Sequence, residues 1–347
     1  MLAKYESEAL CRQVANWQLD WVPYERSFVV PLNTAHGPWF ERRGVLLRLR
    51  DPEGRTGYGE VAPVPEFGSE NWTQVVAFLE QSASQVAGDP TLVPAALPAT
   101  RFALDVARWS LDAPPAQFDF ENTALLPGGD TALETLRQLR AEGFRCFKVK
   151  LGVQSAAEEL ALVESLWDAL PDDGELRLDA NASFMGTELD WWGEHLQGLD
   201  RIGFLEQPLP PGQEQDMRAA MLRWGVPLAL DESLALHGGL KRALQTGWPG
   251  PLVLKLSLLG DLQALRSQLA GARAPLMASS VFETGIGLYQ TLRIAAELGV
   301  NRRVGYGTIA YFDDGWNGFE NTPRLTSAEV CDELFTELWN RACHRWS

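Results

Sequence analysis

Cysteine is scarce in this sequence and has no motif. Cys11, Cys146, Cys331 and Cys343 form no Cys-x-x-Cys pair, and a chain of 347 residues is long enough to bury a core without disulfide staples. Free thiols in a reducing cytoplasm are the expectation. Long apolar runs are missing too. None approaches the roughly 20 residues of a membrane span, and Met1–Glu8 lacks the apolar centre of a signal peptide. Basic residues are outnumbered, 30 against 46 acidic, for a net charge of −16. That balance excludes nucleic acid and anionic membrane as partners, because both repel an acidic surface. It does not exclude a small anionic substrate, since a local cation and lysines reverse the field at one site. Histidine is rare: His36, His195, His237 and His344 all fall away from the predicted strand ends, with His237 expected in a helix. A His–Asp dyad as catalytic base is therefore disfavoured. No low-complexity tract is present.

What the sequence does have is an alternation. Apolar runs with strand character recur at Asn122–Leu126, Arg145–Leu151, Glu175–Asn181, Ile202–Glu206, Pro227–Asp231, Leu252–Leu256, Pro275–Ser280 and Arg303–Gly307. From Lys150 to Lys255 the charged ends of these runs step by roughly 24–29 residues, the length of one strand, one helix and two loops in a β/α barrel. Helices are expected between them. Asp130 is placed to cap the first and Gly143 to close it, Ser155 and Glu158 have capping-box spacing, and Leu236–Gln245 follows later. The first hundred residues read differently. Ser27–Pro31 and Gly44–Arg50 have strand character and Asp51–Gly54 is a turn, which predicts an antiparallel sheet. Asn71 is placed to cap a helix over Trp72–Val86, and Arg101–Leu111 also reads as helix. Asn33–Gly44 and Ala62–Gly68 read as loops, either a lid or plain connectors. Ser327–Trp346 is amphipathic and expected to be helical, packing back on the first domain.

The charges at the strand ends carry the chemistry. Lys148 and Lys150 share one face of a strand, while Phe147, Val149 and Leu151 fill the other. If the apolar face meets the helices, both lysines point into the barrel; the alternative is an edge strand with solvated lysines. Two ammonium groups beside each other and a cation would fall below the free lysine pKa of ~10.4, so that one can accept a proton. Asp179, Glu206 and Asp231 each end an apolar run on consecutive strands. Singly, each also fits a helix cap. Together in one mouth they would repel, and a divalent cation resolves the repulsion; oxygen-only donors favour Mg²⁺, with Mn²⁺ also accommodated. Lys255 stands on the next strand, across the mouth from Lys150. Acid/base groups on either side of a bound oxyanion suit removal of a proton next to a carboxylate. Arg177 shares the face of Asp179 and either supports the site or forms a structural ion pair. Asn181 either bonds a ligand or lysine or caps its loop. Ser279 and Ser280 lead into a helix whose backbone N–H groups either hold a second carboxylate or make an ordinary turn.

As a set, these residues resemble the enolase superfamily, in its muconate-lactonizing subgroup. That pattern has a Lys-x-Lys strand, Asp, Glu and Asp metal ligands on the next three strands, and a lysine on the sixth; Lys148, Lys150, Asp179, Glu206, Asp231 and Lys255 match it. The resemblance implies an α/β fold, a (β/α)8-type modified TIM barrel over 101–314. It also implies an α+β capping domain formed by 1–100, with 315–347 returning to it. Arg-Leu-Asp-Ala-Asn at 177–181, Phe-Leu-Glu-Gln-Pro-Leu at 204–209, Ala-Leu-Asp-Glu-Ser at 229–233 and Ser-Ser-x-x-Glu-Thr-Gly-Ile-Gly at 279–287 are similar to the o-succinylbenzoate synthase family. So is Gly-Tyr-Gly-Thr at 305–308.

This likeness implies a carbon–oxygen lyase that dehydrates 2-succinyl-6-hydroxy-2,4-cyclohexadiene-1-carboxylate in menaquinone or phylloquinone synthesis. Lys150 would remove the proton and then protonate the departing hydroxyl. Lys255 would stabilise the enediolate by its charge, and Lys148 would lower the pKa of Lys150 and contact the carboxylate. N-acylamino acid racemases, dipeptide epimerases and muconate cycloisomerases share the lysines and acids. The Ala-Ser-Ser start of the seventh-strand segment and the lack of an Asp-x-Asp at Gly305–Thr308 favour the synthase. A non-catalytic barrel that binds a metal or anion in this mouth is the reading from another class.

Overall fold

The structure is a computed structural model, described here for residues 17–34, 37–114, 117–329 and 332–346. Cys11, Cys331, His36 and the Met1–Glu8 segment lie outside the described residues. Cys146 and Cys343 are free thiols. Among the described residues no helix is long and apolar enough to cross a membrane.

The chain opens with an antiparallel sheet of β1 (Gln18–Thr34), β2 (Gly37–Arg50) and β3 (Thr56–Val61), in that order. The loop expected over Asn33–Gly44 is therefore mostly strand. Its polar and glycine residues extend because β1 pairs with them from Ser27↔Glu41 to Thr34↔Gly37, and a bulge between Ser27 and Leu32 absorbs the mismatch. The turn at Asp51–Gly54 forms as read, with Gly54 N–H donating to the Asp51 carbonyl at 3.0 Å. Helix Trp72–Val86 begins with the reciprocal Asn71–Gln74 capping box. Helix Pro98–Trp109 starts earlier than read, at a proline in its first turn, and lies so close on β3 that a Cβ on Gly59 would sit 2.2 Å from the Ala103 carbonyl.

Eight parallel strands follow: β4 (Asp119–Leu125), β5 (Cys146–Lys150), β6 (Glu175–Asp179), β7 (Ile202–Glu206), β8 (Leu228–Ala229), β9 (Leu252–Leu254), β10 (Leu276–Ala278) and β11 (Arg303–Val304). β11, β4, β5, β6, β7 and β8 are neighbours in one sheet, and β9 pairs with β10. The Leu230↔Leu252 and Ser279↔Gly305 bridges join the pieces, so the ring closes into a barrel. Phe204, Ala229, Val253 and Met277 plug its interior, while Phe147, Val149, Leu176, Leu178 and Leu205 face the helices in the main core. A short strand the sequence reading did not place, β12 (Arg324–Thr326), runs antiparallel along β4.

Local expectations meet mixed outcomes. Ser155 and Glu158 form their capping box, and Gly143 closes its helix at φ 106°. Asp130 does not cap: it lies inside a tight turn over Gly129–Thr131, and the helix starts from Thr131 without a side-chain cap. His237 sits in a turn, because its helix begins only at Gly239.

The barrel is fastened to the first sheet by buried charge. Glu60 on β3 accepts from Thr284 N–H at 2.9 Å and Gly287 N–H at 2.9 Å, at the start of helix Gly285–Glu297. Arg26 on β1 pairs with Asp314 at 2.9 Å and donates to the Glu283 carbonyl at 2.9 Å. Helix Asp332–Trp346 returns to the same sheet, where Leu338 and Trp339 pack with Val22, Tyr24 and Leu46.

Candidate active site

Register brings the strand-end charges together. In parallel pairing Lys150 lies opposite Asp179, and Asp179 opposite Glu206. Glu206 lies opposite Ala229, two residues before Asp231. Strands of the barrel stop at this level, so side chains at the ends of five of them, β5 to β9, share one mouth. Lys148 Nζ is 2.7 Å from Asp179 Oδ2 and 2.9 Å from Glu206 Oε1. Lys255 Nζ forms an ion pair with Asp231 Oδ1. The three acids are 8%, 2% and 5% exposed, so their charges are held largely out of water. Lys150, by contrast, is exposed at the edge of the row.

That crowding is visible in the titration behaviour. Burial lifts the Glu206 carboxyl to about 7, helped by the charge of Asp179 and resisted by Lys148. Burial likewise lifts Asp231 to about 6, against the pull of Lys255. The expected lowering of both lysines is for ammonium groups that also face a bound cation; by the protein's own groups alone, Lys148 shifts upward. Burial alone pulls it down, but Asp179, Glu206 and Asp231 outweigh burial and hold its ammonium well above the lysine range. The ammonium is itself the cation that two carboxylates share.

The side chains fit a hard divalent cation in donor chemistry. All the acidic donors are carboxylate oxygens, two already converge on one positive atom, and the buried Glu232 Oε2 nearby has no hydrogen-bond partner among the described residues. Among the described residues, no group of three acidic, histidine or cysteine side chains is already spaced as a metal cage. Instead Lys148 bridges Asp179 and Glu206, while Lys255 pairs with Asp231 alone.

The remaining expected residues divide. Asn181 stands in the mouth: its N–H donates to Asp179 Oδ1 at 3.1 Å and its amide to Glu232 Oε1 at 3.2 Å. Arg177 points into the barrel but toward the floor. It donates to Glu175 at 2.7 Å, Thr123 at 3.1 Å and the Arg303 carbonyl at 3.2 Å, with its guanidinium over the Phe204 ring. Its contacts are those of the structural ion pair, and none of these bonds reaches the acids at the mouth. Ser280 is fully engaged, its hydroxyl donating to Glu283 at 2.6 Å and accepting from the Thr308 hydroxyl and from Phe282 N–H. Ser279 lies beside it, bridged to Gly305. The second carboxylate expected at the following helix start is the protein's own. Glu60 occupies the Thr284 and Gly287 N–H groups, and Glu283 takes that of Val281.

Three features escaped the sequence reading. Gln207, fully buried, accepts from the N–H groups of Asp231 at 3.0 Å and Ser233 at 3.1 Å and donates to Ser233 Oγ, clamping the loop that carries Asp231. Its signal was a glutamine inside an apolar strand end, directly after an acid. Next, all four non-glycine residues with positive φ among those described, Asn181, Ala182, Gln207 and Phe282, lie just beyond barrel strands at the mouth. Finally, aromatic rings ring the mouth: Phe282 stacks with Tyr311 at 6.2 Å, and Phe28 and Trp39 of the first sheet meet Phe282 edge-on. Burial pushes the Tyr311 hydroxyl up, and Lys148 pulls it back.

Comparison with known proteins agrees in both halves of the chain. Residues 131–326 match the family model described as enolase C-terminal domain-like, and residues 29–111 match that of the MenC N-terminal domain. An o-succinylbenzoate synthase of Thermosynechococcus vestitus is 34% identical over 93% of this chain and 99% of its own length. That of Escherichia coli K12 is 31% identical over 77% of this chain and 83% of its own. The crystal structure of the synthase from Thermosynechococcus elongatus BP-1, complexed with Mg in the active site, superposes with a TM-score of 0.81 at 33% identity, covering 93% of this chain and 99% of that one. The L-Ala-D/L-Glu epimerase of Bacillus subtilis shares the fold, with a TM-score of 0.75 at 16% identity over 89% of this chain and 95% of its own.

Proposed function

The chain belongs to the o-succinylbenzoate synthase family of the enolase superfamily, and on that premise we propose that it dehydrates 2-succinyl-6-hydroxy-2,4-cyclohexadiene-1-carboxylate to 2-succinylbenzoate. It acts as a carbon–oxygen lyase, in the cytoplasm, on the route to menaquinone or phylloquinone. The observation that carries this reading is the strand-end row of Lys148, Lys150, Asp179, Glu206, Asp231 and Lys255 in one mouth. In this reading the described residues of 101–314 supply that mouth, and those of 1–100 and 315–347 cap it.

Lys150 is the base. It is exposed, which leaves its amine free to meet a bound substrate. It takes the proton next to the substrate carboxylate, leaving an enediolate, and then gives that proton to the departing hydroxyl. One C–H and one C–O bond break, a ring double bond forms, and water leaves. Lys255, on the other side, contributes charge to the enediolate rather than accepting a proton. Lys148 holds Asp179 and Glu206 in place and offers its positive charge to the substrate carboxylate. Asn181 steadies Asp179 and Glu232, while Ser279 and Ser280 shape the wall. Asp179, Glu206 and Asp231 would hold Mg²⁺, or Mn²⁺ with the same oxygens, which when bound neutralises the carboxylate charge that develops in the reaction. The uneven surroundings of the two outer lysines support one base rather than two: among the described residues Lys255 is ion-paired and Lys150 is not.

The test is direct. With Mg²⁺ present, the protein should remove the ultraviolet absorbance of the cyclohexadiene substrate. Absence of turnover, together with racemisation of an N-acyl amino acid in D₂O, would replace the synthase with a racemase.

A further inference from the structure

The geometry points to Phe67, in the first domain, as the residue that positions the ammonium of Lys255; this rests on the dehydration proposed above. The Phe67 ring centroid lies 4.0 Å from Lys255 Nζ, well inside cation–π range. The ammonium thus stands between the Asp231 carboxylate and the face of a ring. A ring face attracts a cation and cannot take its proton, which suits a lysine that works by charge from a fixed place.

Phe67 is held there by a built turn. Its N–H donates to the Val64 carbonyl at 2.9 Å, and Gly68 N–H donates to Pro65 at 3.0 Å. Ser69 Oγ accepts from Val64 N–H at 2.7 Å. Next to it, Glu70 is pinned by Ala99 and Thr100 N–H groups at 3.1 and 2.7 Å. Gly68 adopts φ 77°, and a Cβ on it would meet the Ala235 carbonyl at 2.3 Å. Ala235 closes the short helix that begins just after Asp231. The turn is therefore seated against the same loop that carries the partner of Lys255. On its other side, Phe67 packs with a cluster that includes Leu258, three residues after Lys255. From the barrel, Glu206 and Glu232 act on this ammonium by charge; the ring that it meets comes from the first domain.

The test compares Phe67→Leu, which keeps bulk without a π face, with Phe67→Tyr, which keeps the face; Phe67→Met is a second non-aromatic variant should the first fail to fold. Two readouts are taken on the full-length protein. One is steady-state turnover of the cyclohexadiene substrate with Mg²⁺. The other is acetylation of lysines by an amine-reactive ester, with and without Mg²⁺, read as the rate at Lys255 relative to exposed Lys150. We expect F67L to lose about tenfold in kcat with KM nearly unchanged, and F67Y to stay close to wild type. Acetylation at Lys255 should rise several-fold in F67L alone. Equal losses in F67L and F67Y, a raised KM at constant kcat, or an unchanged acetylation ratio would each overturn the assignment. If the wild-type protein does not turn the substrate over, the dehydration reading fails, and the acetylation ratio by itself decides the role of Phe67.

Discussion

The two ends of one strand treat charge in opposite ways. β6 carries Glu175 at its start, Arg177 in the middle and Asp179 at its end. At the floor, Glu175 is gripped by Arg177 at 2.7 Å and by Arg303 at 2.8 Å, and Arg303 also bonds Glu121 at 2.9 Å. Burial pushes Glu175 up, but the two guanidinium groups win and leave it below the ordinary carboxylate range. At the mouth, burial wins: Glu206 rises to about 7 and Asp231 to about 6 despite their lysines. Arginine forks hold fixed, mutually satisfied pairs, whereas lysines are single movable charges that can release a carboxylate to a ligand. The floor is built for stability and the mouth for exchange. The strained backbone at Asn181, Ala182, Gln207 and Phe282 falls on the mouth side as well.

The largest effect that tests this division is Lys150→Ala. Lys150 is exposed, so the variant should melt like wild type. Loss of a general base should cut kcat by about 10²–10⁴. A loss of stability in place of activity would place Lys150 with the structural charges. The next is Gln207→Leu, which removes the clamp on the Asp231 loop without touching a carboxylate. Mg²⁺ affinity, measured by calorimetry, should fall by about 10–100-fold, the usual cost of losing a group that orients a ligand. The floor then supplies the converse. Arg303→Met frees Glu175 and Glu121 from one guanidinium, and should lower stability by about 2 kcal/mol in denaturant titration while leaving kcat within about twofold. A large drop in kcat there would erase the distinction between the two ends.

Much of this layout was legible in the sequence because it depends on period. The run of Lys150, Asp179, Glu206, Asp231 and Lys255 at one repeat length fixes which side chains share a mouth, whatever the loops do. Capping boxes at Asn71 and Ser155 were legible for a similar reason: both partners lie three residues apart. What failed to show depends on contacts remote in sequence. Nothing near Thr284 tells that its N–H is taken by Glu60, 224 residues away. Nothing near Asn33–Gly44 tells that β1 will pair with it and turn a loop into strand. The raised pKa of Lys148 arises from acids on three other strands, contacts that no local reading of the Lys-Val-Lys run contains. One composition signal went unused. Lysine occurs only at 4, 148, 150, 241 and 255, so most of the lysines lie on the strand ends, while arginine supplies most of the remaining positive charge.

The smallest effect is in the pH dependence of stability, and its sign separates mouth from floor. Glu206 at about 7 and Asp231 at about 6 lie above the values near 4 that such groups have when unfolded. Between roughly pH 4 and 7 the folded state therefore binds more protons at these two sites than the unfolded state. Their contribution to stability is greatest below the unfolded pKa and is lost as pH rises through the folded values. The lowered Glu175 works the other way, contributing above its unfolded pKa and losing that as pH falls. Metal-free protein melted in chelator should thus lose less stability on going from pH 7.5 to 5.5 than Glu206→Gln, which lacks one proton-binding site of the mouth. Saturating Mg²⁺ should remove most of that difference, because a bound cation keeps the carboxylates ionised in the folded state. Parallel pH profiles for wild type and Glu206→Gln without metal would mean that the mouth is as settled in its charges as the floor.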